Sequence, residues 1–201
     1  MTNYSDEQLM FSLIEEGDLG AFEELLTRYE RPLLTYITRQ VGDYHSAQDL
    51  FQETFYRIFK HRKSFNPDLR FSTWAYRIAT NLCINALKEK SHELELFLED
   101  INPGKASSSN PLNKGISTIY SQSSPEEESI TKDLEGNLKA LVNSLPEKLR
   151  SIFILSRYQE LSHPEIAKIL GIPLGTVKSR LRQSFEQLFE LVEKRGLIDE
   201  L

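Results

Sequence analysis

Near the C-terminal end, Gly175, Thr176, Lys178, Ser179, Arg182 and Gln183 crowd into one short stretch. Two are cations, three carry side chains that donate or accept hydrogen bonds, and one has no side chain. On a helix, spacings of three and four bring them to one side. The set suits contact with duplex DNA. An arginine can grip guanine with two nitrogens, a lysine neutralises a phosphate, and small residues at a helix N-terminus let the backbone approach an anion. Nothing comparable exists for covalent chemistry. There is no Gly-rich phosphate loop and no serine in a nucleophile elbow. His45, His61, His92 and His163 lack zinc-binding spacing, and no second histidine follows His163 four residues on. Cys83 is the single cysteine, which excludes an internal disulfide and a Cys-cluster zinc site. Its apolar helical neighbours predict core packing. No catalytic residue, metal or cofactor is therefore expected, and the protein is not expected to be an enzyme.

Composition at first argues against DNA. The 201 residues hold 24 Lys and Arg against 30 Asp and Glu, a net charge of −6. The charge is segregated, however. Residues 1–30 sum to −7 and residues 91–130 to −5, while 57–90 sum to +6 and 163–182 to +3. Exposed charges are screened over about 8 Å at physiological salt, so a basic face acts locally. Either basic stretch alone reads equally well as a solvated helix face. No apolar run approaches the ~20 residues of a membrane helix, and the acidic N-terminus lacks the basic and apolar regions of a secretory signal. A cytoplasmic protein without membrane insertion is expected.

Helical periodicity runs through most of the chain. Ser5-Asp6-Glu7-Gln8 reads as a capping box. A second helix is predicted over 19–41, a third over 44–62 after Gly42-Asp43, and a fourth over 72–90 after the turn at Phe65-Asn66-Pro67-Asp68. Residues 91–123 are rich in serine with little periodicity and read as a flexible linker. Helices resume at Ser124-Pro125-Glu126-Glu127 and at Ser144-Leu145-Pro146-Glu147. Ser162-His163-Pro164-Glu165 then opens a short helix closed by Gly171, followed by a helix to about Arg195. Short helix, glycine turn and basic second helix make a helix-turn-helix pattern, although a plain helical hairpin shares the turn. The fold expected is all-α: two small helical domains (1–92 and 124–201) joined by a flexible linker (93–123).

Two blocks resemble a known family. Gly171-Ile-Pro-Leu-Gly-Thr-Val-Lys-Ser-Arg180-Leu and Leu145-Pro-Glu-Lys-Leu-Arg resemble the promoter-reading region of extracytoplasmic-function (ECF) alternative sigma factors. Asp49-Leu-Phe-Gln-Glu-Thr-Phe55 and Phe71-Ser-Thr-Trp-Ala-Tyr-Arg-Ile-Ala-Thr-Asn81 resemble that family's second conserved region. The resemblance implies a bacterial transcription initiation factor. Its first domain would bind core RNA polymerase and melt the minus-ten element, and its second would read the minus-thirty-five element. It implies that the face formed by Asp49, Gln52, Glu53 and Arg57 grips the coiled coil of the polymerase largest subunit, with Phe55 or Phe51 packed beneath it and the flap region as a further contact. Other implied partners are promoter DNA and an anti-sigma factor. The free protein would be a monomer, found with the nucleoid in holoenzyme or held at the membrane by the anti-sigma factor.

Melting a duplex requires unstacked bases, which stacking groups offset by ~1–3 kcal/mol per base. Phe65, Phe71, Trp74 and Tyr76 interleave with Arg70 and Arg77, and Asn81 lies one turn beyond Arg77. These residue types make Phe65, Arg70, Phe71, Arg77, Asn81 and Lys88 the candidate minus-ten contacts, and Asn81 matches the position that the resemblance implies helps read a flipped base. Trp74 is in phase with Ile78 and Leu82 and reads as core; Lys88 reads equally as a phosphate contact or a solvated charge. Promoter elements about 25 base pairs apart lie ~85 Å apart. Thirty-three linker residues span ~30 Å as a coil and ~110 Å drawn out. The linker is therefore expected to be extended on polymerase. A dimeric duplex-DNA regulator would share the C-terminal motif but have no use for the blocks at 49–55 and 71–81.

Overall fold

A computed structural model of the chain describes residues 4–101, 139–159 and 161–194, with the side chains of 94–101 and 158 excepted. Every regular element among them is helical. The first unit comprises α1 (Asp6–Glu15), α2 (Leu19–Val41), α3 (Tyr44–Lys60), a 3₁₀ turn at Arg62–Ser64 and α4 (Phe71–Ile101). The second comprises α5 (Glu147–Tyr158), α6 (His163–Leu170) and α7 (Leu174–Lys194), preceded by helical residues 139–144. The capping sequence at 124–127 and most of the serine-rich segment lie outside the described residues.

Local chemistry fixes the ends. At α1, Gln8 N donates to Ser5 Oγ at 3.2 Å and Ser5 N donates to Gln8 Oε1 at 2.8 Å. Asp18 and Asp43 accept from backbone N–H groups at the starts of α2 and α3. Hydrogen bonding from Ser46 lowers the Asp43 pKa. Gly42 ends α2 at φ 83°, a left-handed conformation that costs a side-chain-bearing residue strain. Helix α4 departs from expectation at its far end. It runs eleven residues past Lys90, because no glycine or proline interrupts the chain before Pro103.

Helix α1 is fastened by its acids. Asp6 Oδ1 accepts from Arg28 at 2.9 Å, and its Oδ2 accepts from the Tyr29 hydroxyl at 2.5 Å. Glu7 Oε1 accepts from Phe71 N at 3.0 Å, capping the exposed N–H end of α4 with a carboxylate from another helix. Leu25, Leu33, Tyr36, Ile37 and Ile58 are fully buried between the helices. Thr80 donates to the Tyr76 carbonyl at 2.6 Å, so the Tyr36 hydroxyl is the donor in its 2.7 Å bond to Thr80. Burial raises the pKa values of Tyr36 and Tyr76.

The two units are not separate bodies. Helix α4 packs against α6 and α2 packs against α5, and one hydrophobic cluster runs through both units. Truncating Leu33 to alanine is expected to cost ~2–5 kcal/mol, whereas Tyr36→Phe should cost only about 1 kcal/mol. Urea unfolding of the full chain measures both. Equal losses would contradict this account of the core.

Candidate nucleic-acid interface

Aromatic residues build a platform beneath the loop 66–70. Phe65 and Phe71 are buried, and with Trp74 they form a ring cluster with centroids 5.3–6.4 Å apart. Tyr29 packs edge-on against Phe71 at 4.9 Å. Phe65 and Phe71 therefore sit in the interior instead of offering faces for stacking. The reason is hydrophobic: three large rings at a helix start bury more area against each other and α2 than water allows. Trp74 is half-buried in the same cluster, as its phase predicted. Above them, Asn66 Oδ1 accepts from Asp68 N at 2.9 Å, an Asx turn that shapes the exposed loop.

The surface side of α4 is polar. Arg77, Asn81 and Lys88 are all exposed and lie within a narrow angular stripe, as spacings of four and seven require. Asn85 is exposed in the same stripe and was not singled out from sequence, though it lies four residues after Asn81. Arg70 begins the stripe's upstream neighbourhood, with its side chain 74% exposed.

On α3, Asp49 and Gln52 are exposed, and Glu53 pairs with Arg57 at 2.7 Å. Phe55 lies on the opposite side, buried against Phe22 and Phe51. It supports this face from below and does not form part of it. Tyr56, 56% exposed, shares the face and was missed, although it follows Gln52 by four residues. Lys60 lies over its ring at 5.6 Å.

The helix-turn-helix is locally well specified. The Glu165 Oε2 accepts from Ser162 N at 2.9 Å and Ser162 Oγ at 2.6 Å, opening α6. Gly171 closes it at φ 64°. Val177, Ser184 and Leu188 face inward from α7. Gly175, Lys178, Ser179, Arg182 and Gln183 are exposed, and Thr176 is half-exposed beside them. Arg182 pairs with Glu186 at 3.0 Å in an exposed i,i+4 arrangement, which a DNA phosphate or base edge can displace at little cost. Phe185 lies at helical spacing from Val177 and Leu181, which alone would turn it inward, yet it is 49% exposed, with one side of its ring against Phe153 at 5.5 Å. Ser184 takes the inward position because, seven residues after Val177, it lies only about 20° from it around the helix.

Hydrogen bonding from Ser162, supplemented by Arg70, holds the Glu165 carboxyl below the usual carboxylate range. A carboxylate with a lowered folded pKa contributes stability above its unfolded value and loses it as pH falls through the folded one. The acid limb of a Tm-against-pH curve, about pH 5 to 3, is expected to flatten in Glu165→Gln. A Cβ placed at Gly175 meets no atom within 4 Å, so packing does not demand glycine there. Thermal unfolding of Gly175→Ala should give a Tm no lower than the parent's, since alanine favours helix by ~1 kcal/mol. A clear drop would show a packing role that the geometry lacks.

Among the described residues no group of His, Cys, Asp and Glu is arranged to hold a metal, and no helix is long and apolar enough to cross a membrane. Residues 25–93 match Sigma-70 region 2 and residues 135–188 match Sigma-70, region 4. The chain is 33% identical over 180 residues to the ECF RNA polymerase sigma factor SigW of Bacillus subtilis, covering 87% of this chain and 90% of that protein. It is 30% identical over 191 residues to the RNA polymerase sigma-H factor of Pseudomonas aeruginosa, covering 94% of each. In fold it is similar to CnrH, solved in complex with the cytosolic domain of CnrY, with a TM-score of 0.68, 18% identity, and coverage of 95% of this chain and 99% of that one.

Proposed function

The chain belongs to the ECF RNA polymerase sigma factors, and from that premise we propose that it melts the minus-ten element with its first unit and reads the minus-thirty-five element with its second. As a sigma factor it directs promoter-specific initiation by core RNA polymerase and is not itself an enzyme. The observation that carries the division of labour is the presence of two separate exposed polar surfaces on one chain. One is the stripe Arg77, Asn81, Asn85 and Lys88 on α4; the other is the N-terminal half of α7.

The α4 stripe offers cations for a backbone and amides for base edges. The buried rings of Phe65 and Phe71 act indirectly, by holding the loop 66–70 as a rigid rim beside it. Arg70 and the loop would then border an extruded base, while Arg77 and Lys88 follow the phosphates. On α7, Arg182 released from Glu186 is the candidate for bidentate contact with guanine, and Lys178 for a phosphate. Gly175, Thr176 and Ser179 leave the helix start open to close approach, and Gln183 extends the same surface. Asp49, Gln52, the Glu53–Arg57 pair and Tyr56 make the face proposed to meet the polymerase coiled coil. An anti-sigma factor is a further proposed partner, on the ground of family membership.

In vitro transcription with core polymerase tests the reading as a whole: no core binding and no transcript from any promoter would end it. More finely, Asn81→Ala should slow promoter opening, followed by permanganate reactivity, while leaving closed-complex affinity nearly intact. Arg182→Ala should cost ~1–3 kcal/mol at the upstream element and relax its sequence preference. Equal effects of both variants on both steps would refute the division.

A further inference from the structure

The loop 66–70 and the start of α4 face the start of α6 across a cleft of about 520 Å³. Asp68, Arg70 and Thr73 line it from the first unit, and Ser162, Glu165 and Lys168 from the second. All six residues are polar, although the helices on either side pack through apolar ones. Its size falls in the range of small-molecule sites, about 300–1,000 Å³. A ligand site is distinguished from a packing fault by polar groups that the fold itself leaves unbonded.

Several such groups line this cleft. Thr73 is 4% exposed, and its hydroxyl has no hydrogen-bond partner among the described residues. Thr38, Thr54 and Thr80 each donate to the carbonyl four residues back. Thr73 lacks that recourse, because Leu69 precedes the start of α4. The amides of Ser72 and Thr73 also lie in the first turn, where Glu7 caps only Phe71 N, so this helix end favours an anion. The Lys168 ammonium and the Asp68 carboxylate have no partner among the described residues either. Arg70 commits only Nη1, at 2.9 Å to Glu165 Oε1, and its side chain is 74% exposed. Glu165, by contrast, is fully engaged, since its other oxygen accepts from Ser162 N and Ser162 Oγ.

Unbonded donors on Arg70, Lys168 and Thr73 therefore outnumber the one unbonded acceptor, Asp68. One free carboxylate between two cations makes a poor cage for a metal ion. The set suits a tetrahedral oxyanion, which accepts N–H and O–H donors from several directions, carried on a body with hydroxyls for Asp68. We infer that the cleft binds a small phosphate ester, with Arg70, Lys168 and Thr73 on the phosphate and Asp68 on a hydroxyl of the ester. Arg70 keeps Glu165 on one nitrogen and offers the others to the ligand. A bound ester touches both units and stabilises their packing by mass action. It also competes with the minus-ten strand for the Arg70 guanidinium. That consequence rests on the proposed function, whereas the binding itself does not.

The test titrates ribose phosphate into the full chain free in solution, by calorimetry, with amide NMR to locate the probe. Saturable binding of one molecule per chain is expected, with shifts concentrated at residues 68–73 and 162–168. Inorganic phosphate should bind about 10-fold more weakly, and ribose without phosphate should not bind. Lys168→Ala removes an exposed, unpaired charge and should weaken ribose phosphate about 10-fold, while Lys168→Arg should stay within ~3-fold of the parent. Thr73→Val deletes a hydroxyl that the fold does not use. It should weaken binding ~5-fold and leave the Tm unchanged or raised. No saturable binding by about 10 mM probe would overturn the site. Parental affinity in both Lys168→Ala and Thr73→Val, or shifts confined to α7, would do the same. Equal affinity for inorganic phosphate and the ester would overturn the ester and leave free phosphate as the ligand. None of these measurements involves polymerase or DNA, so failure of the cleft and failure of the functional reading are told apart.

Discussion

A helix with seven consecutive inaccessible residues needs partners on all sides, and α5 is such a helix. Its apolar residues Leu149, Ile152, Phe153 and Leu155 are buried, and α6 and α7 of the second unit pack on it. Its remaining side, Arg150 and Ser151, is acceptable in a folded protein only if something else covers it and meets its polar atoms. Helix α2 packs on this helix, with Gln40 accepting from Ser151, while Arg150 donates to the Asn143 carbonyl of its own unit. Once α2 and α5 are set together, the position of α6 over the start of α4 follows, and with it the proximity of Glu165 to Arg70. The relation of the two units thus depends on one two-sided helix more than on the ion pair that is most visible at the surface.

The N-terminal acids illustrate how misleading a net charge can be. Asp6 and Glu7 are spent inside the first unit, on Arg28, Tyr29 and the amide end of α4. Their field is largely neutralised within a few ångströms and reaches the α4 stripe weakly. Their effect on nucleic-acid binding runs through geometry: Glu7 holds Phe71 in place, Phe71 packs on Phe65 and Trp74, and those rings support the loop that carries Arg70. An acidic segment can in this way serve a basic surface.

What could be read from the amino-acid order was what local chemistry decides. The bounds of α2, the capping boxes at Ser5 and Ser162, the glycine ends at 42 and 171 and the exposed side of α7 depend on residues within a turn or two. The exposed side of α3 was legible by the same periodicity, apart from Tyr56, whose spacing was available and whose aromatic character suggested burial. The aromatic run 65–76 was legible as composition only. Whether a ring stacks on a base or on another ring is decided by neighbours from α2, far away in sequence. Arg150 and Ser151 were invisible for the same reason, since a polar pair on a helix reads as a wet face unless the covering helix is known. The far end of α4 was overlooked because the apolar rhythm fades after Lys90, although the missing helix breaker was there to be noticed.

That longer α4 alters the tether between the two units. A coil can stretch, whereas a helix has fixed length at ~1.5 Å per residue. Residues 91–101, as helix, contribute ~16 Å where an extended strand would give more than twice that. Together with at most ~125 Å from residues 102–138, which precede the next described helix, the connection reaches about 140 Å. Set against the ~85 Å between promoter elements, the helical stretch withdraws ~20 Å of reach, or about six base pairs. The end of α4 is thus a strut that shortens the span the chain can straddle.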